Sequence, residues 1–359
     1  MNQKENIRII LSGGGTGGSV TPLIAIAGDL AERYGDRLTM MWVGTHQGVE
    51  RALTARYPFI YKAISAGKFR RYFDLRNFTD IFKVFIGFFQ SLIIINKFKP
   101  HLIVTAGSFL SVPLAWAAWF LNVPVIVHQQ DIRPGLANLI MAPCAKIVTV
   151  AFGKSLDDYG SKSVWIGNPV RSEFRKIADH EIDKEAKPVV VILGGGTGSR
   201  TINELVKESV GTITPLANVI HITGRPGRWS DERREATPDY QFYELLEAEN
   251  VSEVLMKASL VVTRAGLGTL TELSYLAKPC IIIPIPNSHQ EENAEYFATR
   301  GAAIVLDQRV LTPKEFASTI KRTLADKEAL SYMSKKIHDS MKHNANKEMI
   351  DIIDRIING

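Results

Sequence analysis

Cysteine is scarce in this sequence: among its 359 residues only Cys144 and Cys280 occur, far apart and in apolar surroundings. Neither has a neighbour at metal-ligand spacing, which argues against a disulfide scaffold and a zinc site and for buried thiols in a reducing compartment. No apolar run is long enough to cross a bilayer, which takes roughly 20 residues. The best candidate, 84–95, is broken by Gln90 and Ser91, and the next, 109–127, contains Pro113, Asn122 and Pro124. The first residues are polar and lead straight into an apolar strand, so no secretory signal is expected. Low-complexity tracts and coiled-coil heptads are also missing. What remains is an ordinary globular composition, 45% hydrophobic and 22% charged, long enough for roughly two domains. The formal net charge of +6 favours anionic partners such as phosphates or acidic lipid headgroups. Nucleic acid is not expected, because no module that binds it is present.

An internal echo organises the chain. A β-branched apolar run at 7–11 opens onto glycines at 13–15, 17 and 18, and a second at 189–193 opens onto glycines at 194–196 and 198. Helix-compatible segments, 23–34 and 202–210, follow each loop. Two strand–glycine-loop–helix units predict two Rossmann-like domains that open with the same device. Further strands are predicted at 38–43, 102–105, 125–128 and 147–150, then at 219–222, 260–263 and 280–283. Helical stretches lie between most of them, so the fold class is α/β with parallel sheets. The polar stretch 177–187 reads as a linker region, with a hinge near 167–169.

Gly13, Gly15 and Gly18 satisfy a dinucleotide fingerprint, but a nicotinamide enzyme also needs an acid at the tip of the second strand. That strand runs into Gly44, Thr45 and His46, and the second copy carries Ser199 where the third glycine belongs. A dehydrogenase is therefore disfavoured. What survives is simpler: glycines let backbone approach a phosphate, and the helix N-terminus presents free N–H groups. A third such element runs through 260–277, where the amides of Leu267, Gly268 and Thr269 can bind a phosphate. Glu272, read here in the first turn of that helix, either accepts two hydrogen bonds from a ribose diol or merely complements the helix dipole. Gln290 and Asn293, at the start of a later helix, either address sugar hydroxyls or cap the helix.

At these residues the sequence resembles the MurG glycosyltransferase family. The matching segments run in order along nearly the whole chain: 14–18, 107–113, 128–138, 167–171, 194–203, 263–272 and 289–294. The resemblance implies a GT-B fold, two Rossmann-like domains facing a central cleft. It implies an N-terminal domain over 1–167, a C-terminal domain over 168–340, and a last helix at 341–359 returning to the first. It also implies an inverting transfer of N-acetylglucosamine from UDP-N-acetylglucosamine to undecaprenyl-pyrophosphoryl-N-acetylmuramoyl-pentapeptide. The C-terminal domain would hold the donor: Glu272 the ribose, the amides of Leu267, Gly268 and Thr269 the α-phosphate, and Gln290 the hexose. Asn293 would support the Gln290 loop, with Arg171, Gly196 and Thr197 near the diphosphate. Gly15, Thr16, Gly17, Gly18 and Ser19, with Ser108, Ser111 and Asn138, would receive the undecaprenyl-linked acceptor.

Three departures bear on catalysis. Ser19 stands where the family usually has histidine, Gly196 where it has serine, and His128, Gln129, Gln130 and Asp131 replace the commoner His-Glu-Gln-Asn. Serine does not accept a proton at neutral pH as imidazole does. The base is therefore expected to be Asp131, with His128 second. No metal-ligand spacing appears, so no metal or other cofactor is expected. Lys68, Arg70, Arg71, Arg76 and Lys83 interleave with Phe69, Tyr72, Phe73, Phe78, Phe82, Phe85, Phe88 and Phe89. That combination suggests a peripheral contact with the anionic cytoplasmic face of the cell membrane. Three other functions share parts of this pattern: transfer to another lipid such as diacylglycerol, nucleotide-sugar 2-epimerisation, and a catalytically weak binding subunit.

Overall fold

A computed structural model describes residues 6–67, 76–178, 187–196, 198–224 and 236–359, with backbone alone for 76–81. The chain forms two compact units, one of Met1–Arg171 with Lys342–Gly359 and one of Ser172–Met341.

In the first unit, β1 (Ile7–Ser12), α1 (Thr21–Tyr34), β2 (Leu38–Gly44), α2 (Val49–Thr54), β3 (Ile60–Ala63) and α3 (Arg76–Phe98) follow one another. Then come β4 (Leu102–Thr105), α4 (Ser111–Phe120), β5 (Val125–Gln129), α5 (Leu136–Met141), β6 (Ile147–Val150) and β7 (Ser163–Trp165). The strands form a sheet in the order β3-β2-β1-β4-β5-β6-β7, every described pair parallel. Its central strands are buried on both faces, as parallel strands between helical layers must be. Side chains alternate across the sheet: Ile9 and Leu11 join Leu23, Ile26 and Leu30 of α1 on one face, whereas Ile10 joins Ile95, Val112 and Leu114 on the other. Period-two alternation along β1 puts its neighbours into different cores.

The second unit runs α6 (Ser172–Ile177), β8 (Val189–Leu193), α7 (Arg200–Ile213), β9 (Asn218–Ile222), β10 (Tyr240–Tyr243), α8 (Ala248–Lys257) and β11 (Leu260–Thr263). It continues with α9 (Leu267–Tyr275), β12 (Cys280–Ile282), α10 (His289–Ala298), β13 (Ala303–Val305), α11 (Pro313–Ala325) and α12 (Lys327–Asp339). Its sheet has the order β10-β9-β8-β11-β12-β13, again parallel. Both units are Rossmann-like, and the α/β fold is of the GT-B class.

The last helix, α13 (Ala345–Asn358), belongs to the first unit, where Met349, Ile352 and Ile353 enter the α1 core. Asn346 fixes its start: Oδ1 accepts from Val170 N at 2.9 Å and Nδ2 donates to Val170 O at 3.0 Å. Asp354 fixes its end through Arg33 at 2.9 Å and the Tyr34 hydroxyl.

Strands β3, β7, β10 and β13 were not expected from the sequence. Each is three or four residues long and all four lie at sheet edges, where half-exposed Tyr61 and exposed Lys62 dilute the apolar signal. The apolar run 84–95 lies in α3, and no described helix is long and apolar enough to cross a membrane. Its polar interruptions have local partners: Gln90 Oε1 accepts from Ser65 N at 2.7 Å, and Ser91 Oγ donates to Gly87 O at 2.7 Å. The side chains of Arg76 and Phe78, all of Lys68, Phe69, Arg70, Arg71, Tyr72 and Phe73, and most of the 177–187 linker lie outside the described residues.

Candidate active site

In both sheets the chain order reverses beside the first strand, between β1 and β4 in one unit and between β8 and β11 in the other. Connections then leave neighbouring strands toward opposite faces, which opens a crevice at the strands' C-terminal ends. Most of the residues singled out from sequence lie on the segments that follow β1, β4 and β5 in the first unit and β8, β11 and β12 in the second.

In the first unit the loop after β1 carries Gly15, Thr16 and Gly18 at the surface, with Gly17 half-buried. The Val20 and Thr21 amides turn back to Gly17 O at 3.1 and 3.0 Å, and no side chain caps α1. Ser108 faces this loop from the β4 side with a positive φ of 84°. Its Oγ would lie 3.6 Å from a Cβ on Gly15. Ser19 and Ser111 are different, being buried. Ser19 Oγ donates to Gly14 O at 2.9 Å, and Ser111 Oγ lies 3.0 Å from Ser12 Oγ and donates to Gly107 O at 3.1 Å. Both hydroxyls shape the loops from within.

The two base candidates in the segment after β5 differ in burial. His128 is fully buried, its Nε2 2.9 Å from Asn168 Oδ1 and its Nδ1 3.0 Å from Thr149 Oγ1. Burial pushes its pKa down to about 4, against the opposing hydrogen bond to Asn168. Both ring nitrogens of His128 are thus engaged inside the fold. Asp131 sits half-buried in the loop beyond. Gln129 holds that loop: its Nε2 donates to Asp131 O at 2.7 Å and Arg133 O at 3.1 Å. Its Oε1 accepts from Asn138 Nδ2 at 2.6 Å, Tyr159 Oη at 2.9 Å and Gly135 N at 3.3 Å. A carboxylate at 129 lacks the two donated bonds. Asn138 is buried, and its Oδ1 has no hydrogen-bond partner among the described residues where it faces Gly107, 3.2 Å from the position of a Cβ there.

In the second unit three loops converge on Arg264, which sequence reasoning overlooked. Its Nε and Nη2 donate to Ser199 Oγ at 3.1 and 2.7 Å, and Nη1 to Ile283 O at 2.8 Å and Pro284 O at 3.2 Å. Arg264 is 6% exposed and these partners are all neutral; burial lowers its pKa to about 10. A signal was present: a charged residue directly after the fully buried strand β11, at the switch point. Ser199 also caps α7, accepting from Ile202 N at 3.4 Å. Gly198 before it has a φ of 77°, and a Cβ there would sit 2.4 Å from Thr223 O. Gly196 is exposed, whereas Thr197 lies outside the described residues.

Helix α9 starts at Leu267 with Gly266 as its N-cap and no side-chain cap. Leu267, Gly268 and Thr269 are thus its first three residues, whose amides have no intrahelical acceptor. Because the helix begins earlier than expected, Glu272 is in its second turn, and the first turn contains no acid. The dipole explanation for Glu272 loses its basis, since that effect fades within one turn. Glu272 itself is buried. Asn293, fully buried on α10, donates through Nδ2 to Ala265 O at 3.2 Å and so supports the loop before α9. Gln290 Oε1 accepts from Ile285 N at 3.2 Å, while Ser288, not Gln290, caps α10. Arg171 is half-buried and belongs to the first unit.

A second buried histidine mirrors His128. His221 Nε2 lies 3.1 Å from Asn203 Oδ1, and its Nδ1 3.2 Å from Tyr240 Oη. Asn203 Nδ2 donates to Thr223 O at 3.1 Å. Burial lowers the pKa of His221 to about 3.

Residues 9–150 match the Glycosyltransferase family 28 N-terminal domain and residues 189–355 its C-terminal domain. The chain is 34% identical, over 97% of its length and 99% of the relative's, to the UDP-N-acetylglucosamine–N-acetylmuramyl-(pentapeptide) pyrophosphoryl-undecaprenol N-acetylglucosamine transferase of Clostridium kluyveri. Its fold is similar to that of Acinetobacter baumannii MurG, with a TM-score of 0.72 at 23% identity, covering 97% of this chain and 99% of that one. A UDP-N-acetylglucosamine 2-epimerase from Neisseria meningitidis shares the fold at a TM-score of 0.69 and 11% identity, with coverage of 97% and 99%. With both halves matched and a relative above 30% identity across the chain, this protein belongs to the MurG family of glycosyltransferases, within glycosyltransferase family 28.

Proposed function

We propose that this chain transfers N-acetylglucosamine, with inversion, from UDP-N-acetylglucosamine to undecaprenyl-pyrophosphoryl-N-acetylmuramoyl-pentapeptide. The observation that carries this reading is full-length identity to a transferase of that name, together with a phosphate-suited loop at the switch point of each sheet. In the second unit the free amides of Leu267, Gly268 and Thr269 and the buried Arg264 favour an anionic diphosphate. Glu272 accepts from the ribose, and Gln290, held by Ile285 N, turns its amide NH₂ to the hexose. Asn293 keeps the loop before α9 in place, and Gly196 borders the phosphates. In the first unit the outward amides of Thr16, Gly17 and Gly18, with Ser108, receive the acceptor's pyrophosphate, and Asn138 Oδ1 offers an acceptor to a sugar hydroxyl. Asp131 takes the proton as the acceptor hydroxyl attacks the anomeric carbon and UDP departs.

Helices α3 and α4 supply the membrane contact in this reading. Phe82, Phe85, Ile86, Phe89 and Ile93 recur at helical spacing on α3 and are exposed, as are Trp116, Trp119 and Phe120 on α4. Phe88 joins the two sets through its ring contact with Phe120, centroids 6.5 Å apart. So many large apolar side chains on one face suit a bilayer surface better than water. The enzyme would then be peripheral, on the cytoplasmic face.

The test is product analysis by mass spectrometry after incubating the protein with UDP-N-acetylglucosamine and, separately, lipid-linked muramoyl-pentapeptide, diacylglycerol or no acceptor. The proposal expects a hexosamine added only to the muramoyl lipid. Glycosylated diacylglycerol, epimerised UDP-sugar or no turnover with any acceptor would overturn it.

A further inference from the structure

One buried acid is unused by this reaction. Glu50, on α2, is completely buried, and no cation lies within ion-pair distance of it among the described residues. Its Oε1 accepts from Thr45 N at 2.8 Å and Thr45 Oγ1 at 2.5 Å, and its Oε2 from Gly15 N at 3.2 Å. The space it fills has been cleared on two sides: a Cβ on Gly14 would sit 2.6 Å from the carboxylate, and one on Gly48 2.0 Å from it. Tyr61 closes the cage by donating to Thr45 O at 2.6 Å. Helix α2 is a single short helix, and its carboxylate reaches across to a loop 35 residues earlier in the chain.

The same peptide unit is held from its other side. The Gly15 N–H points to Glu50, and the carbonyl of that peptide bond, Gly14 O, accepts from Ser19 Oγ at 2.9 Å. Carboxylate, peptide and hydroxyl form one hydrogen-bonded chain in which each bond polarises the next. Gly15 itself has a φ of 79°, a conformation that an L side chain rarely adopts. The orientation of this peptide decides how the following amides, Thr16 to Ser19, present themselves. It also removes Gly15 N–H from the set available to a ligand, so the amide of Gly15 itself is not an anion contact.

We propose that Glu50 and Ser19 are paired positioning residues: they clamp the Gly14–Gly15 peptide and thereby aim the remaining loop amides at the acceptor's pyrophosphate. The proposal rests on the acceptor reading of this loop. In this role Ser19 replaces no base; it donates its hydroxyl proton inward and holds the loop's shape.

The experiment uses the full-length enzyme, comparing Glu50→Gln, Glu50→Ala, Ser19→Ala and the Glu50→Gln/Ser19→Ala double variant. Folding is checked by melting and by UDP affinity, which monitors the other unit. Glu50→Ala is expected to raise the acceptor KM by roughly 10- to 150-fold, the range for a hydrogen bond to a charged group, and Ser19→Ala by roughly 2- to 12-fold, the range for a neutral one. The KM for UDP-N-acetylglucosamine should stay within twofold. Glu50→Gln, which keeps one carbonyl acceptor for Gly15 N, should recover part of what Glu50→Ala loses. The double variant should fall short of the product of the single effects, because both act on one peptide. Multiplicative effects, an unchanged acceptor KM, or an equal rise in both substrates' KM would overturn the clamp. Inorganic pyrophosphate, titrated in saturating UDP, separates this inference from the acceptor identity. Weaker pyrophosphate binding in the variants supports the clamp even if the muramoyl lipid is not the acceptor, and unchanged binding refutes it.

Discussion

Arg264 offers the sharpest test of the second unit. Replacing it with methionine keeps length and apolar bulk but removes the donors that serve three acceptors, Ser199 Oγ, Ile283 O and Pro284 O. A buried acceptor left without a donor costs about 1–3 kcal/mol. The three share one partner and relax together, so the sum is not additive and about 3–5 kcal/mol is the reasonable total, the scale of breaking a buried charged network. For a unit of this size that corresponds to a fall in melting temperature on the order of 10 °C. Arg264→Lys should fall between, because an ammonium cannot span all three acceptors in the guanidinium's fork geometry. Arg200→Ala is the control: Arg200 is exposed and pairs with Glu204 across one helical turn at 2.8 Å, a contact worth about 0.5 kcal/mol or less. Calorimetric melting with and without UDP reads both roles at once. If the guanidinium also supports the diphosphate, Arg264→Met should lose at least tenfold in UDP affinity beyond its stability loss, and with it most of the ligand-induced rise in melting temperature. A variant that melts normally refutes the strut. One that melts early but binds UDP like the parent refutes the phosphate role.

The other expectations are briefer. Glu272→Ala should weaken UDP binding by about 1.5–3 kcal/mol, the value of a charge-assisted pair; unchanged affinity by calorimetry removes Glu272 from the ribose. Asp131→Asn should lower kcat by roughly 10²–10⁴ with UDP-sugar binding little changed, and near-full turnover with chemistry rate-limiting rules it out as base. His128 and His221 titrate near 4 and 3 in the folded chain against about 6.5 unfolded. Between those values the unfolded chain binds protons that the folded one does not, so stability falls as pH drops below about 6.5, by about 1.4 kcal/mol per unit per histidine. A melting temperature that stays level from pH 7 to 5 contradicts this. Vesicles rich in anionic lipid should bind the protein in sedimentation assays, less at high salt, and Phe85→Ser with Phe89→Ser should weaken that binding; loss-free binding by the double variant would clear α3 of the role.

Much of this was legible in the sequence, for identifiable reasons. Parallel strands buried on both faces leave continuous apolar runs, so β1, β4, β6, β8 and β11 stand out, and the glycine loops behind β1 and β8 mark the two switch points. Resemblance then supplied the chemistry. What stayed hidden depends on distance through space. Nothing near residue 50 shows that its carboxylate reaches Gly15, and nothing near residue 264 shows that its side chain turns inward to Ser199. The sequence does not say which way His128, at the end of a strand, faces; the Asn168 side chain, supplied by the chain 40 residues on, draws its ring inward. Glu272 was misplaced by one helical turn because helix starts are set by backbone geometry that Gly266 permits but does not announce.

The two glycine loops, so alike in sequence, differ in what lies behind them. In the first unit a buried carboxylate, Glu50, accepts from the loop's own backbone; in the second a buried guanidinium, Arg264, donates to Ser199 at the loop's end. The Arg264 guanidinium sits where the dielectric is low, so its field reaches a ligand with little screening. A cation behind a phosphate loop strengthens anion binding and grows more favourable as charge builds on a departing diphosphate, which is what a donor site must do. The carboxylate behind the first loop acts instead through the peptide it holds, together with Ser19, so its effect on a ligand is set by how the neighbouring amides are aimed. The two halves share one backbone device, and in the proposed function the different buried side chain behind each loop fits it to a different partner.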